Sequence, residues 1–183
     1  MTALAFYTGP DYIEADVRIG PPALGPLREG AAGEFSRWFD EAQERDDVCY
    51  FSVYSGQAVV GQILLHDENA SAGESLVGYH IFEPGQRGQG IGTKALTLLK
   101  RFVAGQTKLR RLVVITSRDN LASQKLARKC SFVHIGAPRE DPENGMVFEW
   151  MVPRDCTDED QARGRYSAAA CDQSGAGPGR QIR

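Results

Sequence analysis

Hydrophobic and polar positions along residues 16–153 follow an order that predicts a mixed α/β domain. Runs with period-two alternation or continuous β-branched character predict strands, and stripes at three- and four-residue spacing predict helices. The predicted strands are Val17–Ile19, Cys49–Tyr54, Ala58–Leu65, Glu74–Phe82, Leu112–Thr116, Phe132–Gly136 and Met146–Val152. The predicted helices carry the stripes Leu27-Ala31-Phe35-Trp38-Ala42, Ile91-Ala95-Leu98-Phe102 and Ala122-Leu126-Cys130. The predicted order is therefore β-α-β-β-β-α-β-α-β-β.

Two of these elements carry a more specific expectation. The run Leu112–Thr116 is apolar and rich in β-branched residues, which predicts a strand buried on both faces. Asp119 or Asn120 can cap the helix over residues 121–129.

The composition changes at Arg154. Residues 154–183 contain no Leu, Val or Phe, so they cannot bury enough apolar surface to offset the loss of chain entropy on folding. We therefore expect a folded domain over residues 12–153 and a disordered tail over residues 154–183.

The overall composition excludes several classes of protein. The 183 residues fit one domain, and a net charge of −3 excludes a strongly basic or acidic protein. The apolar runs are far shorter than the ~20 residues of a membrane-spanning helix, and the N-terminus does not resemble a signal peptide. Neither the four cysteines nor the three histidines show a metal-binding spacing. We expect a cytoplasmic protein with reduced thiols, no metal and no membrane segment.

The small net charge hides a basic segment. Residues 85–130 contain eleven Lys or Arg and one acid, Asp119, which leaves ten basic and 23 acidic residues for the rest of the chain. Such a segregation predicts a site for an anion.

The anion site is predicted at Gly88, Gly90 and Gly92, between a strand and a helix. Backbone N–H groups at a helix N-terminus lack intrahelical partners, and glycines let a phosphate approach them closely. The loop lacks the Gly-x-x-x-x-Gly-Lys-Ser/Thr spacing of a Walker loop. It also lacks the dinucleotide spacing, and no acid follows at the distance that a ribose would require. The glycines alone leave a phosphate site and a simple tight turn as equal alternatives.

Two motifs resemble the GNAT superfamily of N-acetyltransferases. Arg87-Gly88-Gln89-Gly90-Ile91-Gly92 is similar to the family's Gln/Arg-x-x-Gly-x-Gly/Ala motif. The segment from Asp119 to Phe132 is similar to its second helix motif, in the Asn-x-x-Ser form of the RimJ/RimL-like branch, and Phe148-Glu149-Trp150 also suits that branch. The resemblance covers residues 12–153. It implies a mixed, mostly antiparallel central sheet flanked by helices, with a coenzyme A site at the strand–glycine loop–helix junction.

The resemblance also implies roles for individual residues. Acetyl-CoA would be the acyl donor, with its pyrophosphate held by Arg87, Gly88, Gln89, Gly90, Ile91, Gly92 and Thr93. Pantetheine would pair with the edge of the strand ending at Ile81 and Phe82. Asn120 would reach pantetheine or substrate, although helix capping explains it equally well. Ser123 would contact the donor, or is a small residue packed beneath it.

Catalysis requires a base, because an amine with a lysine-like pKa of about 10.4 is mostly protonated at pH 7. Glu74 lies thirteen residues before Arg87, which is the spacing of the base in the histone-modifying relatives, although a solvated residue after a turn is the alternative. His80 has a suitable ordinary pKa of about 6.5, but a structural histidine is the alternative. Ala127 stands where many relatives carry a Tyr that protonates the leaving thiolate, and Ser131 stands where they carry Gly.

These features favour an acetyl-CoA-dependent N-acetyltransferase. The alternative, motivated by Ala127, is an acyl-CoA-binding regulatory module without turnover. Binding of nucleic acid ranks third, because few aromatic residues interleave the basic ones. The loops Asp67–Gly73 and Arg139–Gly145 are rich in acids, which favours a cationic small molecule or a protein N-terminus as acceptor. A monomer and a homodimer are both compatible with the sequence.

Overall fold

The described residues of the computed structural model, 7–30, 45 and 47–153, are organised around an eight-stranded sheet. Its strands are β1 (Tyr12–Glu14), β2 (Val17–Gly20), β3 (Cys49–Ser55), β4 (Ala58–Asn69), β5 (Glu74–Ile81), β6 (Arg111–Ser117), β7 (Val133–Gly136) and β8 (Gly145–Met151). The helices are α1 (Leu24–Gly30), α2 (Ile91–Gln106) and α3 (Leu121–Lys129), and a 3₁₀ turn covers Pro84–Gln86.

The strand order is β1-β2-β3-β4-β5-β6-β8-β7. Every neighbouring pair is antiparallel except β5 and β6, which are parallel and are connected through α2. A parallel pair needs such a crossover because its two strands start at the same edge of the sheet. The expected mixed, mostly antiparallel sheet flanked by helices is confirmed.

The parallel ladder between β5 and β6 is short. It joins Glu74 to Arg111 and Leu76 to Val113, and it ends there. Strand β5 continues to Ile81 with β4 as its partner on one side. The last residues of β5 therefore have an edge without a strand partner from β6, and the sheet opens at this point.

The main hydrophobic core lies between the sheet and α2. The predicted stripe of α2 is buried, from Ile91 to Phe102, and packs against strand residues such as Phe51 and Leu112. A smaller cluster, formed by Leu27, Val48, Tyr50 and Leu64, covers the opposite face of the sheet. The two clusters fix β4 and β5 from both sides and hold the open end of β5 in place.

Helix α3 differs from its predicted orientation. Ala122 is exposed and Leu126 is half-buried, whereas Ser123, Gln124 and Ala127 form the buried side together with Cys130. The buried polar groups have partners: the Gln124 side-chain amide donates to the carbonyls of residues 117 and 118 at 3.2 and 2.7 Å. Hydrogen bonding makes burial of this amide acceptable. Of the predicted stripe, Cys130 is buried and Leu126 packs against the core, whereas Ala122 is exposed.

Other predictions need smaller corrections. Strand β6 is buried on both faces only in its first half, because Ile115 is 47% exposed. The short strand β1 was not predicted. The predicted helix over residues 27–42 lies mostly outside the described residues, as does the predicted tail over residues 154–183. None of the helices in the described ranges is both long enough and apolar enough to cross a membrane.

Candidate functional site

A cavity of about 620 Å³ opens between the end of β5, the glycine loop and α3. Nine of the thirteen residues predicted from the sequence line it: His80, Ile81, Arg87, Gly88, Gly90, Gly92, Thr93, Asn120 and Ser123. Its other lining residues are Tyr79, Gln86, Ala122, Lys125, Leu126 and Lys129. The cavity therefore joins both sequence motifs at the place where the sheet opens.

Four predicted residues do not line the cavity: Glu74, Phe82, Gln89 and Ile91. The Gln89 side chain donates to the carbonyl of Gly85 at 2.7 Å, and Ile91 is buried in the core below the loop. Phe82 packs against the smaller cluster, and its backbone N–H donates to Val60 at 3.0 Å. The structure thus gives these three residues a role in shaping the loop and its supports.

The glycine loop presents the N-terminus of α2 to the cavity. Gly88 and Gly90 have φ values of 78° and 84°, a region that side-chain-bearing residues rarely adopt. Gly90 is the N-cap and has no side chain to accept the first N–H groups of the helix, and the first helical bond at this end is from the Lys94 N–H to the Gly90 carbonyl. The preceding N–H groups have no intrahelical acceptor, so this end of α2 is suited to an anion.

The cavity is positively charged. Arg87, Lys125 and Lys129 are the charged residues among its lining side chains, apart from the titratable His80, and no acid lines it. The other basic residues of the segment 85–130 are partly used elsewhere: Lys94 pairs with Asp16 at 2.6 Å. The basic segment therefore contributes only a subset of its charges to the cavity.

Arg87 folds back onto the end of β5. Its guanidinium donates to the carbonyl oxygens of Ile81 and Phe82 at 3.0 and 3.2 Å, and one terminal nitrogen lies 3.3 Å from His80 Nε2. Arg87 thus connects the glycine loop to the strand that forms the cavity wall.

His80 is half-buried at the cavity wall. Desolvation, followed by the positive charge of Arg87, lowers the pKa of His80 below its ordinary value of 6.5. The imidazole is therefore mostly neutral at pH 7, the form in which it can accept a proton.

Glu74 lies at the opposite end of β5 from His80. Its carboxylate accepts a hydrogen bond from the Arg111 guanidinium, which also binds Glu149 at 3.1 Å. This ion-paired group sits where β5 and β6 are in register. The structure does not bring Glu74 and His80 together.

The N-terminus of α3 contributes hydroxyl and amide groups. Asn120 Oδ1 accepts the Ser123 N–H at 3.0 Å, so Asn120 caps the helix as well as lining the cavity. Ser123 Oγ lies 2.6 Å from the hydroxyl of Tyr79. Tyr79 was missed in the sequence because an aromatic residue at a core-facing strand position predicts packing alone.

Lys125 and Lys129 were also missed as lining residues. They are four residues apart on α3, which places them on one side of the helix, and that spacing was available in the sequence. For metals, residues 7–30, 45 and 47–153 contain no group of three or more His, Cys, Asp or Glu placed to hold an ion.

A comparison with protein-family models found one match, the acetyltransferase (GNAT) domain, over residues 4–133. A search of curated proteins by sequence found no match.

Solved structures share the fold. RimL, a ribosomal L7/L12 alpha-N-protein acetyltransferase in complex with coenzyme A, superposes with a TM-score of 0.66 at 14% identity, over 80% of this chain and 100% of that one. A putative ribosomal-protein-serine acetyltransferase from Vibrio cholerae gives 0.62 at 20% identity, over 79% and 99%. A chimera of spermidine N-acetyltransferase SpeG from Vibrio cholerae and hSSAT gives 0.64 at 14% identity, over 74% and 95%. At these identities the likeness is one of fold.

Proposed function

The chain belongs to the acetyltransferase (GNAT) domain family, and from this premise we propose that it transfers the acetyl group of acetyl-CoA to a primary amine by direct attack on the thioester. The observation that carries the proposal is the cavity of about 620 Å³ at the open end of β5, next to the glycine loop. The volume is within the usual range for small-molecule sites.

The donor's phosphates would bind the glycine loop. We assign the pyrophosphate to the N–H groups of residues 88–93, because those at the N-terminus of α2 that precede Lys94 have no intrahelical acceptor. Lys125 and Lys129 add positive charge to the cavity from α3. Pantetheine would lie along the edge of β5 near Ile81, where β6 has already diverged. Backbone groups of that edge can pair with its amides as they would with a further strand.

His80 is the base that we propose for the reaction. It lines the cavity, and its lowered pKa keeps the imidazole neutral at pH 7. The acceptor ammonium loses a proton, directly or through water, to His80 Nε2, which gives up its 3.3 Å contact with Arg87 to accept it. The neutral amine then attacks the carbonyl carbon of the thioester. Glu74 remains an alternative base, but its contact with Arg111 and its place outside the cavity lining favour His80.

For the acceptor we propose a cationic small molecule or a protein N-terminus. The fold relatives named above include enzymes described as acting on ribosomal proteins and on spermidine. Exposed acids near the predicted acceptor loops, such as Glu68, Glu140 and Glu143, provide negative charge. Asp67 contributes less, because it pairs with Arg45 at 2.5 Å.

The test is to mix the protein and acetyl-CoA with polyamines, aminoglycosides and N-terminal peptides, and to measure free thiol together with the mass of the acceptor. We expect amine-dependent thiol release and a product heavier by one acetyl group. Tight binding of acetyl-CoA without thiol release across the panel would instead favour the regulatory binding module.

A pair of glycine variants tests the donor site. Gly90→Val places a branched side chain at a positive φ beside the cavity and should abolish acetyl-CoA binding in calorimetry. Gly105→Val is the control, because a Cβ there meets nothing within 4 Å and the residue does not line the cavity. Equal donor affinity in the two variants would refute the proposed phosphate site.

A further inference from the structure

A buried glutamine lies directly opposite His80 in the sheet. Strands β4 and β5 are antiparallel, and their register pairs Gln62 with His80. The side chains of such a pair lie on the same face of the sheet, with Cβ atoms about 4.5–5.5 Å apart. Gln62 is fully buried, and it shares its face with Leu64 of the smaller cluster, two residues further along β4. The proposed base therefore has a buried amide as its neighbour across the strands.

Only one end of the Gln62 amide is hydrogen-bonded. The Tyr50 hydroxyl donates to Gln62 Oε1 at 2.6 Å. Among the described residues, Gln62 Nε2 has no hydrogen-bond partner, although it is buried. A buried polar group without a partner is costly, so we expect a further polar group to complete this amide.

The contact with Arg87 determines which nitrogen of the His80 ring carries the proton. A guanidinium can only donate, so in the 3.3 Å contact Arg87 Nη2 is the donor and His80 Nε2 is the acceptor. In the neutral ring the proton is then on Nδ1. This nitrogen is buried, so its N–H group requires an acceptor inside the protein rather than in the solvent.

We propose that Gln62 is a positioning residue for His80: its amide oxygen accepts the Nδ1–H group, directly or through one buried water, and keeps Nε2 as the atom that takes the acceptor's proton. The inference rests on the proposed function, because it concerns the base of that reaction. Gln62 does not line the cavity, so it acts through His80 and not on the substrate.

A rotation of the amide by 180° provides both hydrogen bonds. The oxygen and the nitrogen exchange places in this rotation. Gln62 Nε2 then donates to the Tyr50 hydroxyl, which can accept as well as donate. Burial raises the pKa of Tyr50, so this hydroxyl stays neutral at pH 7. The amide oxygen becomes available to Nδ1–H, and polar contacts connect β3, β4 and β5 behind the cavity.

The arrangement stabilises the protonated ring. When Nε2 takes a proton from the amine, Nδ1 keeps its own, and a hydrogen bond from the charged ring is stronger than one from the neutral ring. Gln62 therefore opposes desolvation and the charge of Arg87, which lower the pKa of His80. The other titratable or charged groups around the pair are Tyr50 next to Gln62 and Tyr79, Lys125 and Lys129 in the cavity lining.

The first experiment needs no turnover. Ring nitrogen-15 chemical shifts distinguish a protonated from an unprotonated nitrogen, and at pH 8 the ring of His80 is neutral. We expect the Nδ1–H form to predominate at His80. The spectrum of His80→Gln assigns the signal, since the sequence contains three histidines. A ring that is mainly protonated on Nε2 in the wild type would overturn the proposal.

The second experiment removes the amide. Gln62→Met keeps a side chain of similar length without an acceptor for Nδ1–H. We expect the Nε2–H form to become the major one and kcat at pH 7 to fall about tenfold, because a ring protonated on Nε2 cannot accept there. KM for acetyl-CoA should stay within about threefold. The acidic limb of kcat/KM should move to lower pH, since the protonated ring loses its hydrogen bond.

Two further variants separate positioning from packing. Gln62→Glu keeps an oxygen acceptor, so it should retain the Nδ1–H form and move the acidic limb to higher pH. Ser52→Ala is the matched control. Ser52 is a fully buried polar residue opposite Gln62 on β3, where it accepts the Ala23 N–H at 2.8 Å. This control should lose stability but leave the tautomer and the acidic limb unchanged.

An unchanged tautomer and an unmoved acidic limb in Gln62→Met would overturn the proposal, even if kcat fell, because the glutamine would then be purely structural. If Gln62→Met fails to fold, the wild-type spectrum and the limb of Gln62→Glu decide in its place. Failure of the proposed function is distinguishable: the wild type would release no thiol with any amine, while the nitrogen-15 spectra would still test the contact between Gln62 and His80.

Discussion

The two ends of strand β5 place candidate bases in opposite environments. Glu74 and His80 are an even number of residues apart and lie on the same face of the sheet. At the Glu74 end, β5 is paired with β4 and β6, and Arg111 binds the carboxylate. At the His80 end the partner strand has diverged and the imidazole lines a cavity. Two residues on the same face of a strand can therefore differ in their access to substrate. The access depends on where the neighbouring strand ends.

Removing the base at the open end should have the largest effect. His80→Gln should lower kcat by about 100-fold or more at pH 7, because general base catalysis usually contributes at least that factor. Thiol release measured with saturating acetyl-CoA and acceptor checks this. A kcat within threefold of the wild type would exclude His80 as the base.

The positive charge at the open end can be tested against a basic residue elsewhere. The double variant Lys125→Gln/Lys129→Gln should weaken acetyl-CoA binding about tenfold, which is ~1.4 kcal/mol, because two cations that line the cavity are lost. Lys94→Gln is the control, since its ammonium pairs with Asp16 outside the cavity. Calorimetry in which both variants lose the same affinity would contradict the assignment.

The pH dependence should report the environment of His80. Burial and the charge of Arg87 lower the pKa of His80 below 6.5, so kcat/KM should be at its plateau near neutral pH and fall as the pH drops through that lowered value. Arg87→Gln removes the charge and should move the acidic limb upward, toward 6.5. An acceptor amine has a pKa of about 7.7–8.0 at a protein N-terminus and about 10.4 in a lysine-like molecule, so a lysine-like acceptor is the one to use when this acidic limb is measured.

The expected effect is smallest at the closed end. Glu74→Gln should leave kcat within about twofold and lower the free energy of unfolding by ~0.5–1 kcal/mol, as for other partly exposed ion pairs. Glu149→Gln removes the other carboxylate that pairs with Arg111. Urea unfolding should show a similar loss in the free energy of unfolding for this variant. A tenfold loss of kcat confined to Glu74→Gln would transfer the role of base from His80 to Glu74.

Much of the fold follows from local sequence patterns. Strands β3, β4 and β5 were predicted within a few residues because each is a run rich in strand-forming apolar residues, and the turn signals Ser55-Gly56-Gln57 and Ser71-Ala72-Gly73 separate them. The strand Tyr12–Glu14 was missed because three residues are too few to show a period. The buried side of α3 was predicted correctly for Cys130 and Leu126 but not for Ala122, because Gln124 is a polar residue buried with hydrogen-bond partners, which hydropathy does not reveal.

The candidate site was predicted in part. The glycine motif predicts a loop before a helix, and Gly88 and Gly90 lie there with positive φ, because a turn at a helix N-terminus is a local property of the sequence. The ion pair of Glu74 could not be predicted, since it depends on the register between β5 and β6. The contact between Tyr79 and Ser123 joins residues 44 positions apart and requires the folded arrangement.

The short parallel ladder between β5 and β6 also has a consequence for folding. Strands β1 to β5 pair with their neighbours in the sequence, whereas β5 joins β6 across α2 and β6 joins β8 across α3 and β7. Such a non-local pairing closes a long loop and is kinetically slow. We therefore expect amide protection to develop first within strands β1 to β5 and last at the pairings of β6, so that the cavity is completed at the end of folding.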